Sequence, residues 1–182
     1  NLPKPSVDTG MGLERITAVL SGKSNNYETD LFRFVFSEIE KIFKIELNKG
    51  NLTQFRIISD HIKAICMLMS EGILPSNEGR GYVLRRIIRR AIIQANKIKP
   101  GEMLLYKIAD KVVEKYSKIY FELEKAINFI RENLKNEEKK FLETLDTGLS
   151  LLEKEISELK SNNFPSDVAF KLYDTYGFPL DL

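Results

Sequence analysis

Cysteine and histidine are almost absent from this 182-residue chain, with Cys66 and His61 the single examples, and tryptophan is missing altogether. One cysteine excludes an internal disulfide, and with one histidine beside it the chain has too few soft ligands for a zinc site of its own. A reducing compartment, the cytoplasm, is the expected home. Hydrolytic triads and thiol chemistry lack their parts, and no P-loop pattern is present. The carboxylate pair Glu137 and Glu138 falls in a charge run that reads as a solvated face, and lone His61 reads as an ordinary packed or exposed residue. No apolar run approaches the ~20 residues that cross a bilayer, and no basic-then-apolar signal opens the chain, so no membrane partner is expected. A strong net charge is lacking as well. The balance of 28 basic and 26 acidic residues leaves only +2, so any attraction to a polyanion must come from local segregation of charge.

What the sequence has in quantity is helical periodicity, and 43% hydrophobic residues are enough for a real core. Leu13 to Leu20 reads as a short helix stopped by Ser21-Gly22. Apolar Leu31, Phe32, Val35, Phe36, Ile39, Ile42 and Phe43 form the stripe of a helix from Thr29 to Lys44. A third apolar helix runs from Thr53 to Met69. Further helices are expected over about Arg80–Lys97 and Met103–Lys118. From Leu123 to Leu159 apolar residues alternate at spacings of three and four across the polar stretch Asn136–Lys140. If continuous, that helix is on the order of 55 Å long at 1.5 Å per residue. It reads as an arm packed along the other helices, with a dimeric coiled coil as the alternative. Ser166 is expected to cap a last helix, Asp167–Tyr176, ended by Gly177 and Pro179. The expectation is a mainly α fold: a multi-helix bundle with one long helical arm and a short strand-like segment at the N-terminus.

Charge is segregated most clearly after Pro75-Ser76-Asn77-Glu78-Gly79-Arg80-Gly81. On a helix, Arg85, Arg86, Arg89 and Arg90 fall within an arc of about 140°, opposite Leu84, Ile87, Ile88, Ala91, Ile92 and Ala95. One face suits a core and the other a line of anions, because each guanidinium fork holds two oxygens and keeps its charge near neutral pH. The first inference is nucleic acid. With Arg80 these side chains are candidate phosphate contacts, although about two of the five are expected to pair with acidic residues of the arm instead. A second motif, Asp8-Thr9-Gly10-Met11-Gly12-Leu13-Glu14-Arg15, is a Gly-x-Gly turn feeding a helix whose first turn carries an arginine. Such a turn lets a ligand approach the backbone and puts a cation within reach of a phosphate.

Asp8 to Arg15 resembles the third signature motif of class II aminoacyl-tRNA synthetases. Pro75 to Ala91 and the segment Leu172-Tyr173-Asp174-Thr175-Tyr176-Gly177-Phe178-Pro179-Leu180-Asp181-Leu182 look like motifs of the alanine-specific family within that class. Ser59-Asp60-His61-Ile62 and Leu145-Asp146-Thr147-Gly148 fit the same family, so the resemblance covers essentially the whole chain in order. It implies that Gly10, Gly12 and Arg15 bind ATP and that Asp8 helps hold the amino group of alanine. It also implies that Asn77 and Asp174 read a G·U wobble pair in the acceptor stem of tRNA(Ala). The residues alone leave other roles open: Asp8 as a turn aspartate, Asn77 as a helix cap, Asp174 as a solvated helix-end charge. On this resemblance residues 1–22 are the end of a catalytic domain, and residues 23–182 are a helical domain that recognises the acceptor stem. The other catalytic motifs are expected before Asn1, with an editing domain carrying the zinc ligands after Leu182. The full-length enzyme would use ATP and Mg2+; the 182 residues alone would bind neither cofactor nor metal and would not activate alanine. A non-catalytic helical RNA-binding module and a coiled-coil interaction domain are the alternatives.

Overall fold

The computed structural model describes residues 3–4, 6, 9–159 and 163–178. Among them are α1 (Leu13–Leu20), a 3-10 turn (Asn26–Glu28), α2 (Asp30–Phe43), α3 (Leu52–Ser70), α4 (Gly79–Ile98), α5 (Leu105–Tyr116), α6 (Phe121–Glu158) and α7 (Ser166–Asp174), with no strand. The strand-like segment expected at the N-terminus falls largely on residues outside this set, and residues 9–12 have no regular structure.

Apolar spacing decides which helices form the centre. α2 buries Phe32, Val35, Phe36, Ile39 and Phe43, and it stops where Lys44 turns left-handed at φ 52. α3 buries Phe55, Ile58, Ile62, Ile65, Cys66 and Met69 against it, with Phe36 and Phe55 meeting edge to face at 5.6 Å. Between the two helices, buried Asn51 accepts from the Asn48 N–H at 2.8 Å and donates to the Glu46 carbonyl at 2.9 Å. That polar pairing lets the connection stay tight. α4 then lies along α3, burying Leu84, Ile88, Ala91, Ile92 and Ala95 as the arginine-face reading requires.

α6 is continuous for 38 residues, about 57 Å at helical rise, and its polar middle does not interrupt it. Leu123, Ile130, Leu134, Phe141 and Leu145 are buried in the common core, whereas Gly148 is the last fully buried position along it. Beyond that point α7 is the element packed against α6: a Cβ on Gly148 would overlap the Phe178 ring and sit 3.2 Å from Tyr176 Cβ. Thus the arm is packed for about its first three quarters. Because its apolar positions there are consumed by the chain's own core, they leave no stripe for a partner coil.

The reading of Glu137 and Glu138 as solvated is overturned, since both are buried. Helix rotation sends them to different neighbours. Glu138 Oε1 accepts from the Leu104 N–H at 2.8 Å and the Leu105 N–H at 3.0 Å, which supplies the start of α5 with the cap its own Leu104 cannot provide. Deleting this acceptor by Glu138→Ala strands two buried donors and is expected to cost ~2–4 kcal/mol. Glu138→Gln keeps a carbonyl acceptor and should cost far less in the same thermal melts.

Burial raises the Glu138 carboxyl above its ordinary 4.5, so the folded chain holds this proton more tightly than the unfolded chain does. The stability it contributes is therefore full below 4.5 and declines as pH rises through the folded-state value. The gap between wild type and Glu138→Gln should narrow over that rise.

Ser166 does not cap α7 as expected: it is the first helical residue, and Pro165 holds the cap position without a side-chain bond. Proline serves at that end because it has no N–H to satisfy.

Candidate nucleic-acid interface

The start of α4 is shaped by a turn folded back on it. The Ser76 N–H donates to the Gly81 carbonyl at 3.1 Å, and the Ser76 hydroxyl donates to the Glu78 carbonyl at 2.9 Å. Gly81 is buried so closely under this turn that a Cβ there would overlap the Leu74 carbonyl oxygen and the Ser76 hydroxyl. Asn77 is carried on the turn. It does not cap the helix; Glu78 occupies that position, and the Asn77 side-chain oxygen accepts instead from Arg85 Nη1.

The arginine face is divided. Arg85 and Arg89, one helical turn apart, are partly buried and reach α6, where Glu137 Oε1 accepts from Arg89 Nε at 2.9 Å and lies 3.3 Å from Arg85 Nε. Arg89 also donates to the Gly177 carbonyl at 3.2 Å, and its guanidinium stacks 4.9 Å above the Phe141 ring. These two arginines are the ion-pair partners of the arm that the charge pattern anticipated. Arg80, Arg86 and Arg90 are exposed.

α7 brings Asp174 to the same place. Its last residue, Asp174, is exposed, and the chain beyond it turns through Gly177 at φ 68 to bury Phe178 beside Phe141, ring centres 6.4 Å apart. The Tyr82 and Tyr173 hydroxyls meet at 2.8 Å and tie α4 to α7. That hydrogen bond lifts the Tyr173 phenol above its ordinary 10, so it stays neutral at physiological pH. The result is an open cleft of about 300 Å3 lined by Asn77, Tyr82, Arg85, Arg86, Asp174 and Phe178, among others. Two side chains from distant parts of the sequence thus share one concavity with guanidinium groups.

Chemically the cleft offers an acceptor-only carboxylate and an amide of defined orientation. Arginine can only donate, so the Asn77 atom facing Arg85 is its oxygen and the free end is the NH2 donor. His61 lies 3.3 Å from Asp60 and borders a smaller cleft of about 190 Å3 with Arg86 and Arg90.

The other motif is spread along α1. Gly12 holds its N-cap position, Arg15 is exposed in its first turn, and nothing lies within 4 Å of a Cβ built on Gly10. Asp8 lies outside the described residues. Glu14 pairs with Lys63 of α3 at 2.9 Å, which fixes α1 to the bundle. Arg15 thus places a cation beside an open turn. The described residues hold no group of three or more carboxylate, histidine or cysteine side chains that could bind a metal ion, and no helix among them is long and apolar enough to cross a membrane.

Sequence reasoning missed Glu137. Its signal was present as a carboxylate at i+3 from Leu134 and i−4 from Phe141, inside the apolar stripe of α6 rather than on the opposite face.

A helical bundle with a basic, cleft-bearing face preceded by a glycine turn and an arginine-bearing helix is the arrangement the quoted motifs imply. The family of tRNA synthetases class II (A) matches residues 1–182, and the chain belongs to that family. Within it, the chain is similar to the alanine–tRNA ligases of Rickettsia akari, 49% identical over 182 residues, and Lawsonia intracellularis, 50% identical over 186 residues. That of Francisella tularensis subsp. mediasiatica is 48% identical over 183 residues. In each case the whole chain is covered, and it spans 21% of the relative's length.

Proposed function

We propose that this chain is the part of a cytoplasmic alanine–tRNA ligase that receives the acceptor stem of tRNA(Ala). Residues 23–182 form the recognition domain. The observation that carries the reading is the convergence of Asn77 and Asp174 on one arginine-lined cleft. Relatives named alanine–tRNA ligase, matched over the whole chain, support the substrate.

In A-form RNA the shallow minor groove is the accessible one, and a wobble pair leaves the guanine amino group there without a partner. Asp174 accepts from that amino group. Asn77, its oxygen held by Arg85, donates to the pyrimidine O2 on the same edge. In a G·C pair cytosine takes one of the two amino hydrogens and the pyrimidine O2 sits elsewhere on the groove edge, so the two-point fit to Asp174 and Asn77 is not made. Arg80, Arg86 and Arg90 hold phosphates and set the register without reading sequence.

Residues 1–22 close the ATP and alanine sites of the whole enzyme. There Gly10 and Gly12 let substrate approach the backbone, Arg15 holds the triphosphate, and Asp8 holds the alanine amino group. ATP and Mg2+ supply the activation chemistry in the whole enzyme, where the remaining triphosphate and metal contacts come from other parts of the polypeptide. An editing domain with its own zinc completes the partners.

Binding of the 182-residue chain to an acceptor-stem hairpin across a salt series tests this reading. Docking through arginines makes affinity fall steeply as salt rises. Salt-resistant self-association with no hairpin binding would favour a coiled-coil role instead.

A further inference from the structure

Glu137 works against phosphate docking. A carboxylate set beneath Arg85 and Arg89 cancels attraction to an anion, and burying it beside them carries a desolvation cost that a neutral residue would avoid. Its geometry fits a different task. Glu137 Oε1 accepts a hydrogen bond from Arg89 Nε and sits at ion-pair distance from Arg85 Nε, and the other end of each arginine goes to one half of the cleft. Arg85 Nη1 donates to the Asn77 side-chain oxygen and Nη2 to the Pro75 carbonyl at 3.4 Å, so the turn carrying Asn77 is fixed at two points. Arg89 Nη1 donates to the Gly177 carbonyl at 3.2 Å, in the turn that follows Asp174. Gly177 is pressed so closely on this guanidinium that a Cβ would overlap it. Asn77, Arg85, Glu137, Arg89 and the Gly177 turn beside Asp174 therefore form one connected chain through a single buried oxygen.

We propose that Glu137 is a positioning residue for base-pair reading: it turns two flexible arginines into struts that fix the Asn77 amide relative to the Asp174 carboxylate. The proposal rests on the reading of those two residues given above. Arginine loses more rotamer freedom than most side chains when it is held, and a two-point hydrogen-bond reader must be placed to within about 0.5 Å. An arginine anchored at both ends meets that tolerance, whereas one anchored only by a phosphate follows the RNA backbone wherever it lies. Glu137 thus gives up affinity for any stem in exchange for preference for one.

Glu137→Gln separates this role from a merely structural one. In the 182-residue chain the preference for a G·U over a G·C acceptor hairpin, expected to be ~10-fold in wild type, should shrink to less than about 2-fold. Affinity for the G·C hairpin should rise and its salt dependence steepen, because the neutral amide keeps a weaker acceptor but no negative charge to hold two guanidinium groups against the pull of phosphates. Glu137→Asp keeps the charge but shortens the side chain by one methylene, so it cannot hold both arginines; it should lose the preference without that gain. A preference retained in Glu137→Gln, or both hairpins weakened by the same factor, would overturn the proposal. If Glu137→Gln does not fold, Glu137→Asp decides, and if neither folds the residue is structural and the proposal falls.

A second readout needs no RNA. The Asn77 side-chain NH2 resonance, assigned by its loss in Asn77→Ala, should move in Glu137→Gln, and an unmoved resonance also overturns the proposal. Should wild type show no preference while that resonance moves, the base-reading role of Asn77 and Asp174 has failed and the strut has not.

Discussion

Removing Arg80, Arg86 and Arg90 together is expected to weaken binding of acceptor-stem hairpins on the order of 10²-fold at moderate salt, G·U and G·C alike. The three side chains are exposed, Arg86 lines the cleft and Arg90 borders the smaller one next to it. Contacts of this kind go to phosphate and sugar, so their loss lowers affinity without changing which stem is preferred. The slope of log affinity against log salt should become shallower by roughly three, one for each contact removed. Arg85 and Arg89 should behave differently. Each is held by buried Glu137, so truncating either costs stability as well as binding. Titrating the triple variant with both hairpins over a salt series checks the distinction: a changed preference would mean that these arginines touch base edges.

Gly81→Ala should have the largest effect on the fold. The added methyl meets a backbone oxygen, that of Leu74, together with the Ser76 hydroxyl, so no side-chain rotation relieves both overlaps. The 74–78 turn must lift off α4, at a cost of ~3 kcal/mol, or roughly 6–12 °C in melting temperature for a chain of this size. Asn77 rides on that turn, and Arg85 bonds to it. Preference for the G·U stem should therefore disappear even well below the new melting temperature. Gly10→Ala is the matched control for stability, since nothing lies within 4 Å of the added carbon. A Gly81→Ala variant that melts with wild type would contradict the packing described here.

Helix existence was legible in the sequence, and the reason is physical. α1, α2 and α3 begin and end within a residue or two of the periodic apolar runs, because those runs are what the core buries. The Gly12, Lys44 and Gly177 boundaries follow from local backbone chemistry, which sequence also carries. Less legible was how one charged stripe divides. Arg85 and Arg89 differ from Arg86 and Arg90 by one position each, a rotation of about 100°, yet the first pair meets α6 and the second is exposed. Which half faces a neighbour depends on where α6 passes, and no local pattern contains that.

The same applies to Glu137 and Glu138. In a run of charged residues they look solvated, but the packing of α4 and α5 on two adjacent faces of α6 buries both and gives each a different partner. The 3-10 turn Asn26–Glu28, held by Asn25 accepting from the Tyr27 N–H at 3.0 Å, is another local feature that periodicity does not mark. The pairing of Asn77 with Asp174 came from the likeness of motifs, whereas the cleft that contains both is a tertiary product of α4, α6 and α7.

The central claim is that Asn77 and Asp174 read one base pair as a unit. The most direct test is a double-mutant cycle on hairpin affinity, with wild type, Asn77→Ala, Asp174→Ala and the double variant each measured against G·U and G·C stems. The account predicts a wild-type preference of ~10-fold or more, reduced to near unity by either single change, with the double variant no worse than the singles. It also predicts nearly unchanged affinity of all three variants for the G·C stem. Full preference retained in both single variants would contradict it.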